Sequence, residues 1–76
     1  MKLSDAVCGV TYKVVSIEGT KEVQKKLYDF GFYDGTSIKV EKLSPYGNPI
    51  IIKINTYRVI ISLYLSSLIE VEVIHK

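Results

Sequence analysis

Tryptophan is absent, and cysteine, methionine and histidine each occur once in 76 residues. A single cysteine, Cys8, closes no internal disulfide, so the chain is expected to rely on packing or on a partner, in a reducing cytoplasm. A structural zinc site needs about four Cys, His or carboxylate ligands, whereas Cys8 and His75 lie near opposite ends and neither sits in a spaced ligand pair. No metal site and no cofactor are therefore expected. Cys8 reads as a small buried apolar residue and His75 as a solvated one. Catalytic motifs are missing too: there is no GxxxxGK loop, no HExxH and no GxSxG. Glu70 and Glu72 share a strand face, but that face reads as solvated, so no catalytic residue is assigned and no enzyme is expected.

Long apolar runs are also lacking. The most apolar stretch, Val59 to Leu65, is interrupted by Ser62 and is too short to span a bilayer, and MKLSDAVCGV lacks a signal-peptide core. Neither charge sign dominates: 10 Lys and Arg against 8 Asp and Glu leave +2, enough for solubility and short of a phosphate-binding stripe. With 5 Gly, 2 Pro and 47% hydrophobic residues, disorder and low complexity are excluded. One domain over residues 1–76 is expected.

What is present leans toward sheet, because Val, Ile, Thr and Tyr abound. Ile38 and Val40 alternate with Ser37, Lys39 and Glu41, and Ile69, Val71 and Val73 alternate with Glu70 and Glu72. Thr11 to Ile17 is strand-like, with a slip at Val14 and Val15 that a bulge would produce. Pro49 to Ile54 and Tyr57 to Ile61 form a hairpin turning at Asn55 and Thr56, preceded by the turn-rich loop Ser44 to Pro49. Thr20 to Gly31 is the exception: Val23, Leu27 and Phe30 recur at helical spacing, Thr20 can cap, and Gly31 occupies the C-cap position. Short helical turns are expected near Leu3 to Val7, with Ser4 as cap, and near Leu63 to Leu68.

Five antiparallel strands and one amphipathic helix between early strands give a mainly β fold: a small bent barrel, or a half-open sheet with the helix on one face. The expected core is Leu3, Val14, Ile17, Val23, Leu27, Phe30, Ile38, Val40, Ile52, Ile54, Val59, Ile61, Leu68, Ile69, Val71 and Val73. Tyrosines beside lysines could serve single-stranded nucleic acid, but interleaved acidic residues disfavour it, so nucleic acid is a second alternative. Ile51, Ile60 and Ile74 fall on the face opposite the core; where two lie together they either make an exposed apolar patch, the mark of a protein contact, or, on an equal reading, are covered by a turn or the N-terminal segment. A binding module is favoured.

Leu3 and Gly9, then Val14-x-x-Ile17-x-Gly19, the helix end LYDFGFYDG from Leu27 to Gly35, Ile38-x-Val40, Pro45-x-Gly47-x-Pro49 and Ile69-x-Val71 follow one another in a telling order. Together they resemble the FeoA family, the small cytoplasmic accessory protein of bacterial ferrous iron uptake, over almost the whole chain. The resemblance implies an SH3-like barrel with a helical insertion. It also implies contact with the cytoplasmic GTPase domain of the ferrous iron permease, FeoB, which would be the chain's one link to a membrane. Phe30 and Phe32 stand where the family usually has Leu and a smaller aliphatic, and Ser62 and Ser66 where it often has Arg and Ala. Candidate partner contacts are the helix face, Tyr33, the loop residues Pro45, Tyr46, Gly47, Asn48 and Pro49, and Tyr57 with Arg58. Leu27, Phe30, Gly31 and Gly35 read as structural. The alternative is an SH3-like barrel that binds another protein or itself, apart from the permease.

Overall fold

The computed structural model describes residues 1–43 and 49–74. Chain order is a 3₁₀ turn at Leu3–Asp5, β1 Thr11–Ile17, α1 Lys21–Phe30, β2 Ser37–Leu43, β3 Ile50–Ile54, β4 Tyr57–Ile61, the single helical turn α2 Leu63–Ser66, and β5 Ile69–Val73. The strands form one antiparallel sheet in the order β4-β3-β2-β1-β5. All five expected strands and the helix between the first two are present. The sheet is barrel-like without closing: β4 and β5 end the order on opposite sides, and α2 carries the chain from one to the other.

Two register shifts bend the sheet. Along β1, Val14 faces Val71 and Ser16 faces Glu70, so Val15 is the extra residue of a bulge; Tyr12, Val14 and Ile17 point inward while Val15 is exposed. This is the slip legible in the sequence. A second shift, between Val40 and Lys42 against β3, sits at Glu41 and left no sign in the alternation of β2. Asn55 takes a left-handed φ of 54° in the β3–β4 turn, a conformation asparagine tolerates better than most residues.

Strict alternation in β3 buries Ile50, Ile52 and Ile54 completely, each burial being worth about 1.5–3 kcal/mol. To the same core α1 contributes Leu27, also fully buried, with Val23 and Phe30 partly buried against it. Thr20 caps the helix, its Oγ1 accepting from the Val23 N–H at 3.2 Å. At the other end Gly31 adopts a left-handed φ of 107°, its N–H reaching the Tyr28 carbonyl at 2.9 Å while the Phe32 N–H reaches Leu27 at 3.1 Å. That pairing stops the helix and turns the fully buried Phe32 into the core beside Leu27.

Three expectations need correction. Val73, placed in the core by alternation, is 55% exposed, because it lies at the far end of an edge strand flanked only by β1. Cys8, expected to be buried, is exposed in the turn that leads into β1. The turn at Leu3–Asp5 is flanked by Lys2 without a side-chain cap, so Ser4 does not cap it. Tyr12, Ala6 and Phe32 join the core instead; the Tyr12 hydroxyl accepts from the Val7 N–H at 2.9 Å, which satisfies its polar end. His75 lies outside the described residues, as does the expected loop at 44–48.

Candidate functional site

On the face of the sheet turned away from the core, one cross-strand rung collects positive charge. Register places Thr11 opposite Lys39, Lys39 opposite Lys53, and Lys53 opposite Arg58, so three consecutive strands each present a cation along one line. Cross-strand neighbours of like charge repel one another. Glu41, in the β2 bulge, offsets this: Arg58 Nε donates to Glu41 Oε1, and Arg58 Nη2 lies 3.5 Å from Glu41 Oε2. The Arg58 hydrogen bond holds the Glu41 carboxyl below the usual carboxylate range, with Lys53 and Lys39 adding to the effect, and Glu41 in turn raises Arg58. Three cations around one carboxylate leave the rung positive.

Beside the rung lies an apolar step. Ile51 and Ile60 are direct cross-strand partners on the same outer face, and Ile60 is 65% exposed. These are two of the three isoleucines that alternation set opposite the core. The third, Ile74, is across the sheet, where its N–H donates to the Thr11 carbonyl. Gly9, Lys39, Glu41, Lys42, Ile51 and Arg58 line a shallow depression over the β2 bulge. The surface thus sets an apolar step beside a charged rung, a mixture suited to a protein contact.

Among the candidate contacts inferred from sequence, Arg58 belongs to this surface and Tyr57 does not. Adjacent strand residues face opposite ways, and the Tyr57 hydroxyl donates to the Phe30 carbonyl at 2.9 Å, latching β4 to the end of α1. A Cβ on Gly31 would stand 2.0 Å from that hydroxyl oxygen. Gly31 therefore answers both to its φ and to Tyr57. Tyr33 is exposed just past the helix and stacks on Tyr28, ring centroids 5.7 Å apart at 10°. Pro49 is exposed before β3, while Pro45, Tyr46, Gly47 and Asn48 lie outside the described residues. Gly35 takes a φ of 86° in the turn into β2, and its N–H donates to Val14 O at 2.7 Å.

Lys39, Lys53, Ile51 and Ile60 were not joined to Arg58 by the sequence. The two-residue turn fixes Lys53 opposite Arg58, but the Lys39–Lys53 pairing depends on the Glu41 bulge and the loop beyond it. The two strand carboxylates are engaged by cations: the Met1 amino group lies 2.7 Å from Glu70 Oε2, holding that carboxyl low, and Lys13 Nζ lies 3.1 Å from Glu72 Oε1. Among the described residues no group of three or more His, Cys, Asp or Glu could hold a metal ion.

The FeoA domain family matches residues 1–73 of the chain. The chain belongs to the FeoA family. Among solved structures, it is similar to iron(II) transport protein A of Clostridium thermocellum, with 36% identity and a TM-score of 0.92 over 97% of this chain and 46% of that one. The FeoA chain thus spans about half the length of that relative. It also matches an iron uptake regulatory protein, FeoA, at 30% identity and a TM-score of 0.89, covering 97% of both chains. A zinc complex of Stenotrophomonas maltophilia FeoA, described as an SH3 domain protein, shares the fold at 18% identity and a TM-score of 0.81, covering 95% of this chain and 89% of that one. A search of the curated proteins finds no match. FeoA membership and this fold make the chain a small SH3-like protein. Among its described residues no helix is long and apolar enough to cross a membrane.

Proposed function

We propose that this chain is a non-enzymatic, cytoplasmic accessory of ferrous iron uptake that works by contacting the cytoplasmic GTPase portion of the ferrous iron permease. Family membership supplies the link to iron transport. The observation that carries the contact reading is the outer face of β2, β3 and β4, where the Lys39–Lys53–Arg58 rung runs beside the Ile51–Ile60 step. The apolar side chains supply area that gains from leaving water, and the cations beside them select an acidic surface and speed encounter. In this reading iron stays with the transporter, and the chain alters the permease's assembly or its nucleotide cycle.

The test is association of the full chain with the permease's cytoplasmic portion, with and without guanine nucleotide. Saturable binding, weakened when Lys53 and Arg58 are reversed in charge, supports the proposal; no association at concentrations on the order of tens of micromolar opposes it. Single-stranded nucleic acid is a weaker fit to the same face, because the rung's neighbours are Thr11, Glu41, Ile51 and Ile60 and none of them offers a ring for stacking.

A further inference from the structure

The two edges of the sheet are finished differently. At β5, Val71 donates to the Met1 carbonyl at 2.7 Å and accepts from the Met1 amino group at 2.9 Å, and Lys2 bridges to Glu70, so residues 1 and 2 cover that edge. At the other side β4 ends the strand order. Ile54 and Tyr57 close the two-residue turn and form a hydrogen-bonded pair, which makes Lys53–Arg58 and Ile51–Ile60 the non-hydrogen-bonded pairs of the ladder. The backbone N–H and C=O groups of Arg58 and Ile60 accordingly point away from β3, along the open edge. Proteins that only need to stay monomeric commonly blunt such an edge with proline or a bulge. Here β4 pairs regularly with β3 along its whole length and places Ile60 two-thirds exposed on it.

We infer that the β4 edge accepts an extended acidic segment of a protein partner as a sixth strand, its carboxylates meeting Arg58 and Lys53 and its apolar residues meeting Ile60. This rests on the partner-contact reading above and names the chemistry of the partner's side. The chain shows the same arrangement once internally: β5, Ile-Glu-Val-Glu-Val, pairs with β1 so that Glu72 meets Lys13 across the ladder. Main-chain hydrogen bonds along the edge would give affinity, and alternating side chains the selectivity. A second copy of the chain is a poorer occupant, because two β4 edges side by side bring two sets of Arg58 and Lys53 together.

The probe is a short synthetic peptide alternating valine and glutamate, compared with one in which lysine replaces glutamate, titrated into the full nitrogen-15-labelled chain. The expected result is that the Arg58 and Ile60 amides shift and become protected from exchange with the acidic peptide only. Arg58→Glu and Lys53→Glu, both surface changes whose folding is verified by circular dichroism, should each weaken binding roughly fivefold to tenfold. The inference is overturned by no binding, by binding that leaves both amides unprotected, by equal binding of the lysine peptide, or by concentration-dependent dimerisation through β4. A parallel arm uses the permease's cytoplasmic portion. If that portion binds the wild type and both variants equally, the edge inference falls while the proposed function stands. If the peptide docks on β4 but that portion does not bind at all, the proposed function falls and the edge site stands.

Discussion

Replacing Gly31 with alanine adds a methyl group at the point where α1, β4 and the turn into β2 meet. Two costs follow from the geometry. The φ of 107° is unfavourable for a residue with a Cβ, by about 1–2 kcal/mol. The new Cβ would also stand 2.0 Å from the Tyr57 hydroxyl oxygen and 3.3 Å from Cζ, so the ring must swing aside and surrender its hydrogen bond to the Phe30 carbonyl, a further ~0.5–1.5 kcal/mol. Together these give about 1.5–3.5 kcal/mol, which for a domain of this size lowers Tm by roughly 6–28 °C. The assay is a double-mutant cycle by urea and thermal unfolding with Gly31→Ala, Tyr57→Phe and both together. Because the alanine already breaks the Tyr57 bond, Tyr57→Phe should cost about 1 kcal/mol in the wild type and almost nothing in the Gly31→Ala background. Strict additivity, or a Gly31→Ala cost below about 0.5 kcal/mol, would show that the Tyr57 hydroxyl is not displaced by the new methyl group.

Other perturbations test separate parts of the account. Glu41 is held below the ordinary carboxylate range by its hydrogen bond to Arg58, so the pair's contribution to stability is present above the unfolded carboxyl's pKa and is lost as pH falls through the lower folded value. An NMR titration should therefore find Glu41 deprotonating at lower pH than a free glutamate and shifting upward in Arg58→Ala; a midpoint that ignores Arg58 contradicts the pairing. Thr20→Ala should cost about 1 kcal/mol in urea unfolding and Thr20→Ser much less, and equal losses from both would show that the Oγ cap to Val23 is not what matters. Cys8 is exposed, so the native chain should react completely with a thiol reagent without denaturant; protection until unfolding would restore the buried reading.

The elements were legible where a residue's local chemistry and its tertiary role agree. Thr20 and Gly31 bracket α1 because their side-chain and φ preferences are local matters, and the Val14–Val15 slip announced the β1 bulge because it broke a period of two. Val73 misled because alternation says which side of a strand a residue faces but not whether anything covers that side. Tyr12 was missed as a core residue because its burial depends on the Val7 N–H reaching its hydroxyl from a neighbouring turn. Of the candidate surface's Arg58, Lys39, Lys53, Ile51 and Ile60, alternation placed Lys39, Ile51 and Ile60 on outer faces. The register that aligns Lys39, Lys53 and Arg58 into a rung is set by the Glu41 bulge, which no periodicity revealed. Tyr57 and Arg58 look like a natural pair in sequence, yet the strand sends one to the helix end and the other to the open face.

The measurement that bears most directly on the proposed function is a calorimetric titration of the full chain with the cytoplasmic portion of the ferrous iron permease, at low and raised salt, in the presence and absence of guanine nucleotide. The expected result is saturable binding that weakens with salt and is reduced by Lys53→Glu with Arg58→Glu while the fold is retained. Binding that is unaffected by those two changes would move the contact off the rung and leave the permease contact standing, whereas no heat at any nucleotide condition up to concentrations on the order of tens of micromolar would contradict that contact.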